Sequence, residues 1–366
     1  MFSKKKFQDL FKSFFHFFFK LIYGKIEVYE NDLSKLNVET KNINIESSLK
    51  AYKVYIIPKS RLYTDRIRNV AIIKNNKILS GHSLQLKDNS NSPIINNIVL
   101  KNGTPRIKKN IKGTLLSLLT GGGGNDNYFH WLFDVLPRIG ICEKNNILKD
   151  VKYFLCPNIN KWQKETLELL DIPMIKLLNS KKFRHVEADN LIITDHPWQH
   201  SVDANKDIQN IPKWISSWLR EKFLKKIVEE NLPKKIFIDR SDSLSNLKDK
   251  RKILNEEDVK SYLKKNGFIS VQLSKLEFSK QISLFYNCEK ILGLHGAGLS
   301  NLIWSKENTK IFEIKNIDAN KLYENLAIQN NLKYKSLSLK SETASISPDF
   351  GFFKIEIDRL DDLINS

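Results

Sequence analysis

The chain has 366 residues, too many for one comfortable core, so two domains are expected. Hydrophobic residues make up 41% of it and charged residues 28%, which excludes a disordered chain. The formal net charge of +19 points to an anionic partner: nucleic acid, an acidic lipid surface or a phosphorylated small molecule. A lysine-rich background accounts for the same excess.

In chain order, the first element expected is a helix over residues 1–25. Leu10 to Tyr23 is too short and too interrupted by Lys12, His16 and Lys20 to cross a membrane, and it lacks a signal-peptide cleavage site. Lys5, Lys12, His16 and Lys20 form a polar stripe opposite Phe7, Phe11, Phe14, Phe15, Phe18 and Leu21. That pattern suits a helix lying in a bilayer interface, or one packed on its own protein. Residues 27–50, polar and Asn-rich, read as a loose connection. Strand-like runs follow at Val54–Ile57, Val70–Ile73, Ile94–Leu100 and Leu115–Leu119. A helix is expected from Asn127 towards Leu136, a strand at Tyr153–Cys156, a helix at Trp162–Leu170 and a strand at Leu191–Ile193. Pro212–Glu230 has the four-residue spacing of an amphipathic helix. Strands at Ile236–Ile238, Ile269–Leu273, Lys290–Leu294 and Lys310–Ile314 then alternate with helices at Glu256–Lys265, Phe278–Asn287 and Leu299–Trp304. This rhythm predicts a parallel sheet with crossover helices, a Rossmann-like domain. Cys142, Cys156 and Cys288 are odd in number and far apart. They exclude a disulfide framework or structural zinc site and fit a reducing, cytoplasmic compartment.

Three clusters carry chemistry. In Gly293-Leu294-His295-Gly296-Ala297-Gly298, a strand ends in a small-residue turn that opens a helix, a place where phosphates bind; His295 adds a donor. A tight turn with a capping histidine explains the same residues. The turn is neither a Walker loop nor G-x-G-x-x-G, and no G-x-S-x-G nucleophile elbow accompanies it. In the second cluster Gly121–Gly124 form a loop, Asn125 or Asp126 caps the next helix, and His130 and Asp134 stand four residues apart on one face. They suit either a general base with its orienting carboxylate or a surface pair. The third is Asp239-Arg240-Ser241 with Arg251, where arginine at a strand's carboxyl end suits a diphosphate or is simply a solvated surface residue.

Together these clusters resemble glycosyltransferase family 61. The resemblance lies in N-Y-F-H-W-L-F-D-V-L-P-R (Asn127–Arg138), I-F-I-D-R-S (Ile236–Ser241) with R-K-I-L-N-E (Arg251–Glu256), and G-L-H-G-A-G-L-S-N-L-I-W (Gly293–Trp304) followed by K-I-F-E-I (Lys310–Ile314). It covers roughly residues 115–320. It implies an α/β, GT-B-like fold, two Rossmann-like domains facing across a cleft. These would be an acceptor-side domain over 26–211 and a nucleotide-sugar domain over 212–366, behind the membrane-surface helix 1–25. It further implies inverting transfer from a nucleotide-sugar, uridine diphosphate favoured, to a hydroxyl of a glycan or lipid-linked glycan in capsule, lipopolysaccharide or related envelope polysaccharide synthesis. Arg240, Ser241, Arg251, His295, Gly296, Ala297 and Gly298 would hold the donor, and Glu313 a ribose hydroxyl. His130 with Asp134 would supply the base, or Asp134 itself, while Asn127 and Trp131 would face the acceptor.

No D-x-D triplet occurs, so no metal or other cofactor is expected. The location implied is cytoplasmic, with peripheral attachment to the inner membrane face. The rival readings are a basic nucleic-acid-binding protein and a membrane-associated non-catalytic protein. No recognition helix, RNA-binding aromatic signature or zinc finger supports the first, and no nucleic-acid partner is expected.

Overall fold

The computed structural model describes residues 4–46, 48, 50–65, 68–87, 90–120, 126–201, 203–227, 231–242, 250–343 and 347–365. The chain divides into two compact units, one of Met1–Lys164 with Asp171–Pro197, the other of Glu165–Leu170 with Trp198–Ser366. The class is mixed α/β.

The first unit begins with helix α1 (Lys4–Tyr23) and is built on a mixed sheet. Its strands are β1 (Glu27–Tyr29), β2 (Glu39–Ile43), β3 (Tyr52–Thr64), β4 (Asn69–Lys74), β5 (Lys77–Leu79), β6 (Leu84–Lys87), β7 (Ser90–Asn91), β8 (Lys109–Ser117), β9 (Val151–Cys156), β10 (Leu177–Asn179) and β11 (His185–Thr194). The main order is β1-β5-β4-β3-β11-β8-β9-β10. Strands β11, β8, β9 and β10 run parallel, as a Rossmann-like reading expects, but β3 is antiparallel to β11, β2 and β4. A further antiparallel pair, β4 with β5, has a local cause. Between β4 and β5 stand only Asn75 and Asn76, both left-handed (φ 49° and 57°), the two-residue hairpin turn that matches strand twist.

Two expectations fail in this unit. Residues 27–50 are not a loose connection: β1 pairs with the distant β5, and β2 with the next strand, β3. The run Ile94–Leu100 is not a strand but a 3-10 turn (Ile94–Asn96) and helix α2 (Ile98–Asn102). Asn97, inside the run, breaks it by accepting a hydrogen bond from Val99 N–H at 3.2 Å as helix cap.

Helix α3 (128–143) starts at Tyr128, widens into a π-helical turn over Trp131–Val135, and resumes as α-helix at Leu136–Glu143. The cause is Pro137, which has no N–H to give and whose ring clashes with the carbonyl one turn earlier. The chain relaxes by bonding Leu136 N–H back to the Trp131 carbonyl. Helix α4 (Lys161–Leu169) follows β9.

In the second unit, helix α5 (Lys213–Phe223) is followed by a 3-10 turn (Leu224–Lys226). It is shorter than the expected Pro212–Glu230, whose last three residues lie outside the described set. Then come β12 (Lys235–Ile238), β13 (Arg251–Ile253), α6 (Glu256–Lys265), β14 (Ile269–Val271), α7 (Phe278–Asn287), β15 (Lys290–Leu294), β16 (Lys310–Asn316), α8 (Leu322–Gln329), β17 (Lys333–Leu339), β18 (Gly351–Phe353) and α9 (Ile357–Asn365). The sheet order is β14-β12-β15-β16-β17, parallel throughout. In order of appearance this is second, first, third, fourth, fifth, a doubly wound sheet with its switch point between β12 and β15. Its strands read as near-continuous apolar runs because both faces are covered. Phe237, Leu292, Phe312 and Ile314 pack with Val259, Leu263, Leu360 and Ile364 of α6 and α9. The expected helix Leu299–Trp304 is a 3-10 segment, Ala297–Trp304.

Candidate active site

Open α/β sheets bind ligands outside the carboxyl ends of their strands, at the switch point. Arg240 leaves β12 there, and the His295–Gly298 turn leaves β15 beside it. A Cβ on Gly296 would stand 2.8 Å from Arg240 Nη1 and 3.1 Å from Arg251 Nη1, so both guanidinium groups converge on this glycine. A side chain there would displace the guanidinium ends, and φ of +155° favours glycine as well. Arg251 is brought in by the short parallel pairing of β13 with β18. Its Nε donates to the Asp349 carbonyl at 2.6 Å, and its guanidinium lies 4.9 Å from the centre of the Phe350 ring.

Arg240 is less well provided for. Its Nε is buried with no hydrogen-bond partner among the described residues. Burial, and next the charge of Arg251, bring its pKa down to about 10. Burial also lowers the Arg251 pKa, against the smaller opposing effects of Tyr323, Asp349 and Glu313. Both remain cations near neutral pH. Two desolvated like charges, one with an unused donor, are costly alone and are relieved by a bound anion.

Behind the turn, His295 and Glu313 form a buried pair. Glu313 sits in register with Gly293 across β15 and β16, and the His295 backbone N–H donates to Ile314 O at 2.8 Å. Glu313 Oε1 lies 2.6 Å from His295 Nδ1, while Oε2 accepts from Tyr334 Oη at 2.5 Å. Glu313 has no exposed surface, so the ribose contact expected of it has no oxygen to use; it orients His295 instead. The second imidazole nitrogen stands 3.5 Å from Asp349 Oδ1. Ala297 and Gly298 continue the turn, and a Cβ on Gly298 would meet Ile238 and Leu273 at 3.3 Å. Ser241 is exposed and its Oγ accepts from Gln272 Nε2 at 2.5 Å. Asn301 anchors the turn from below, giving hydrogen bonds to Gln281 Oε1 and Gly298 O at 3.2 Å and accepting one from Trp304 Nε1 at 2.9 Å.

In the first unit His130 Nδ1 and Asp134 Oδ2 are 2.8 Å apart. A carboxylate accepting from Nδ1–H leaves Nε2 as the nitrogen that takes a proton. The His130 side chain is 27% exposed and that of Asp134 is 5%. Burial pulls the His130 pKa down, but the charge and hydrogen bond of Asp134 outweigh it and leave the value above that of an ordinary histidine. Burial pushes the Asp134 pKa up, and His130 and then His196 overcome this, holding it well below the usual carboxylate range. His196, just past the end of β11, puts Nε2 at 3.8 Å from the same Oδ2; burial leaves its own pKa lowered despite Asp134. Arg138 Nε donates to the Asp134 backbone carbonyl at 3.0 Å, fixing the turn that carries the carboxylate.

The two residues expected to face the acceptor also have structural partners. Asn127 is the helix cap, accepting from Phe129 N–H at 2.9 Å and His130 N–H at 3.3 Å, the task expected of Asn125 or Asp126. Trp131 has no exposed surface and packs edge-on against Trp162 at 6.0 Å. Gly121–Gly124 and Asn125 lie outside the described residues. Sequence reasoning missed His196, Asp349 and Tyr334. A histidine just past a strand's carboxyl end was a usable signal for the first; the others are joined to the site only by tertiary pairing.

These features define an α/β protein equipped to hold an anion at a switch point and to move a proton at a carboxylate-bound imidazole. The glycosyltransferase 61 family matches over residues 128–312, half of the chain, which therefore belongs to that family. Curated relatives share a smaller segment. An EGF domain-specific O-linked N-acetylglucosamine transferase of Gallus gallus is 32% identical over 91 residues, 24% of this chain and 17% of the relative. The Drosophila melanogaster protein of the same description is 30% identical over 89 residues, again 24% and 17%, and that of Mus musculus 29% over 89 residues, 23% and 17%. The chain thus spans about a sixth of the length of the curated relatives it matches.

Proposed function

We propose that the protein transfers a sugar, with inversion, from a nucleotide-sugar to a hydroxyl of a glycan or lipid-linked glycan acceptor. The observation that carries this is the convergence of Arg240 and Arg251 on Gly296 at the switch point. In this reading the two guanidinium groups hold the donor's diphosphate and stabilise it as it leaves. His130, aligned by Asp134, takes the acceptor's proton on Nε2 as the acceptor oxygen bonds to the anomeric carbon and the bond to the diphosphate breaks. A uridine diphosphate sugar is the donor class proposed. UDP-N-acetylglucosamine is the first to try, because the relatives are named for transfer of that sugar. A GT-B-like arrangement, a cytoplasmic location and a part in cell-envelope polysaccharide synthesis belong to the same proposal. So does independence from metal, since two guanidinium groups already supply the positive charge.

The test is release of nucleoside diphosphate from a panel of UDP-sugars, with and without glycan or polyprenyl-linked acceptors and chelator. Acceptor-dependent release that persists in chelator and disappears in His130→Ala supports the reading. A folded protein that releases nothing from any donor, or that loses all turnover in chelator, contradicts it.

A further inference from the structure

Helix α1 buries only part of its apolar surface against its own unit. An amphipathic helix on a globular body buries its apolar face. Here the side that lines a groove against the first unit is mixed, with Lys12 and His16 beside Phe11, Phe15 and Phe19, and the Lys20 stem packs on Gly103. Gly103 (φ +66°) is small for that reason, since a Cβ there would lie 2.9 Å from Lys20 Cγ. Phe15, Phe19 and Tyr23 join the polar stripe in securing the helix, and Phe11 lines the groove beside them. The Phe19 and Tyr23 rings stack at 5.7 Å, and Tyr23 meets His185 edge-on at 4.8 Å. The opposite face is left bare: Leu10, Phe14, Phe17 and Leu21 are 70%, 62%, 63% and 69% exposed. Ile98 and Ile107, on other segments lining the same groove, are exposed at 44% and 77%. No described helix is long and apolar enough to cross a membrane.

Charge says what covers this surface. The groove beneath α1 has a volume of about 700 Å³ and is lined by Lys12, Arg106, Lys181, Lys182 and Arg184. Asp65 is its single acid among the lining residues, and its Oδ1 already accepts from the Arg68 and Asn69 backbone N–H groups. In the groove wall His185 directs Nδ1 at the Arg106 carbonyl, 2.9 Å away. Its buried Nε2 has no partner among the described residues. Exposed aromatic and aliphatic side chains bordered by a cationic groove match a bilayer with anionic headgroups, apolar tips reaching the acyl boundary and lysines and arginines meeting phosphate.

We propose that α1 and the groove beneath it form a membrane-surface docking site, in which the Leu10, Phe14, Phe17 and Leu21 face enters the interface of an anionic bilayer and a lipid phosphate sits among Lys12, Arg106, Lys181 and Lys182. This site lies wholly in the first unit and does not depend on the glycosyl-transfer reading.

The experiment is flotation of the full-length protein with phosphatidylcholine vesicles, with and without phosphatidylglycerol, over a salt series. Analytical ultracentrifugation without lipid runs alongside. Binding should require the anionic lipid and weaken with salt. Phe14→Asp/Phe17→Asp should abolish it, and Lys181→Glu/Lys182→Glu should reduce it roughly tenfold. All four side chains are exposed, so melting temperature should be unchanged. Failure of the wild type to float, unaltered flotation of either variant, or a lipid-free dimer dissolved by Phe14→Asp/Phe17→Asp would each overturn the proposal. The last would assign the face to a second copy of this chain.

Discussion

Arg240 and Arg251 repel one another across Gly296, and Arg240 has the unused donor, so removing Arg240 relieves the fold while stripping charge from the site. Arg240→Ala is expected to leave the ligand-free melting temperature unchanged or raised. Nucleoside diphosphate binding should weaken by about 1.5–3 kcal/mol, the range for hydrogen bonds to charged groups. A thermal melt with and without ligand separates the two effects. A structural arginine would show the reverse pattern, with lower stability and unaltered binding. His130 and Asp134 make a pH prediction. The raised histidine contributes stability that is complete below its ordinary value near 6.5 and lost as pH rises through its folded value. The depressed carboxylate contributes stability present above the ordinary carboxylate range and lost as pH falls. A base must be neutral, so kcat/KM should climb with pH along a limb above that of an ordinary histidine. In Asp134→Asn this limb should move to lower pH and the plateau should drop by roughly 10²–10⁴. An unmoved limb would remove His130 from the mechanism. The four-residue spacing made this pair legible in sequence. His196 could be suspected from its place just past a strand's carboxyl end, but its pairing with Asp134 could not, because only the return of β11 brings the two together.

At the scale of elements, the π-helical turn of Trp131–Val135 carries Asp134 and follows directly on His130, and Pro137 is its cause. Pro137→Ala restores an N–H and removes the clash. Stability should be kept or raised, while kcat falls by as much as about a hundredfold as the pair is misplaced. Full activity would show that the widened turn has no part in positioning the pair. Gly296→Ala should retain the fold and lose diphosphate binding, because its methyl would occupy the space where the guanidinium groups meet. The elements of the second unit were legible because buried parallel strands and crossover helices impose different periods on the sequence, and Glu256–Lys265, Phe278–Asn287 and Lys290–Leu294 match their expected limits. The first unit was harder. Short strands such as Glu27–Tyr29 take their hydrogen bonds from distant partners, so nothing in their own composition marks them. The Ile94–Leu100 run shows the converse, where an apolar stretch yielded to an asparagine cap. The 3-10 form of Ala297–Trp304 reflects tertiary anchoring by Asn301, which propensity does not record.

For the whole molecule, the charge of +19 becomes specific once placed. One share converges as guanidinium groups at a switch point, another lines the groove under α1, and each suits phosphate in a different setting. Activity is expected to fall with salt more steeply on vesicle-borne acceptors than on soluble ones, since only the former uses the long-range surface field. Equal salt dependence on both would argue that the groove plays no part in reaching the acceptor. The most direct test of the central claim is calorimetric titration of uridine diphosphate, in chelator, into the wild type, Arg240→Ala and Arg251→Ala. Binding by the wild type, lost or weakened roughly ten- to hundredfold in both variants, is the result expected. No binding by a folded wild type, or equal binding by all three proteins, would contradict the assignment of the Gly296 site to the donor diphosphate.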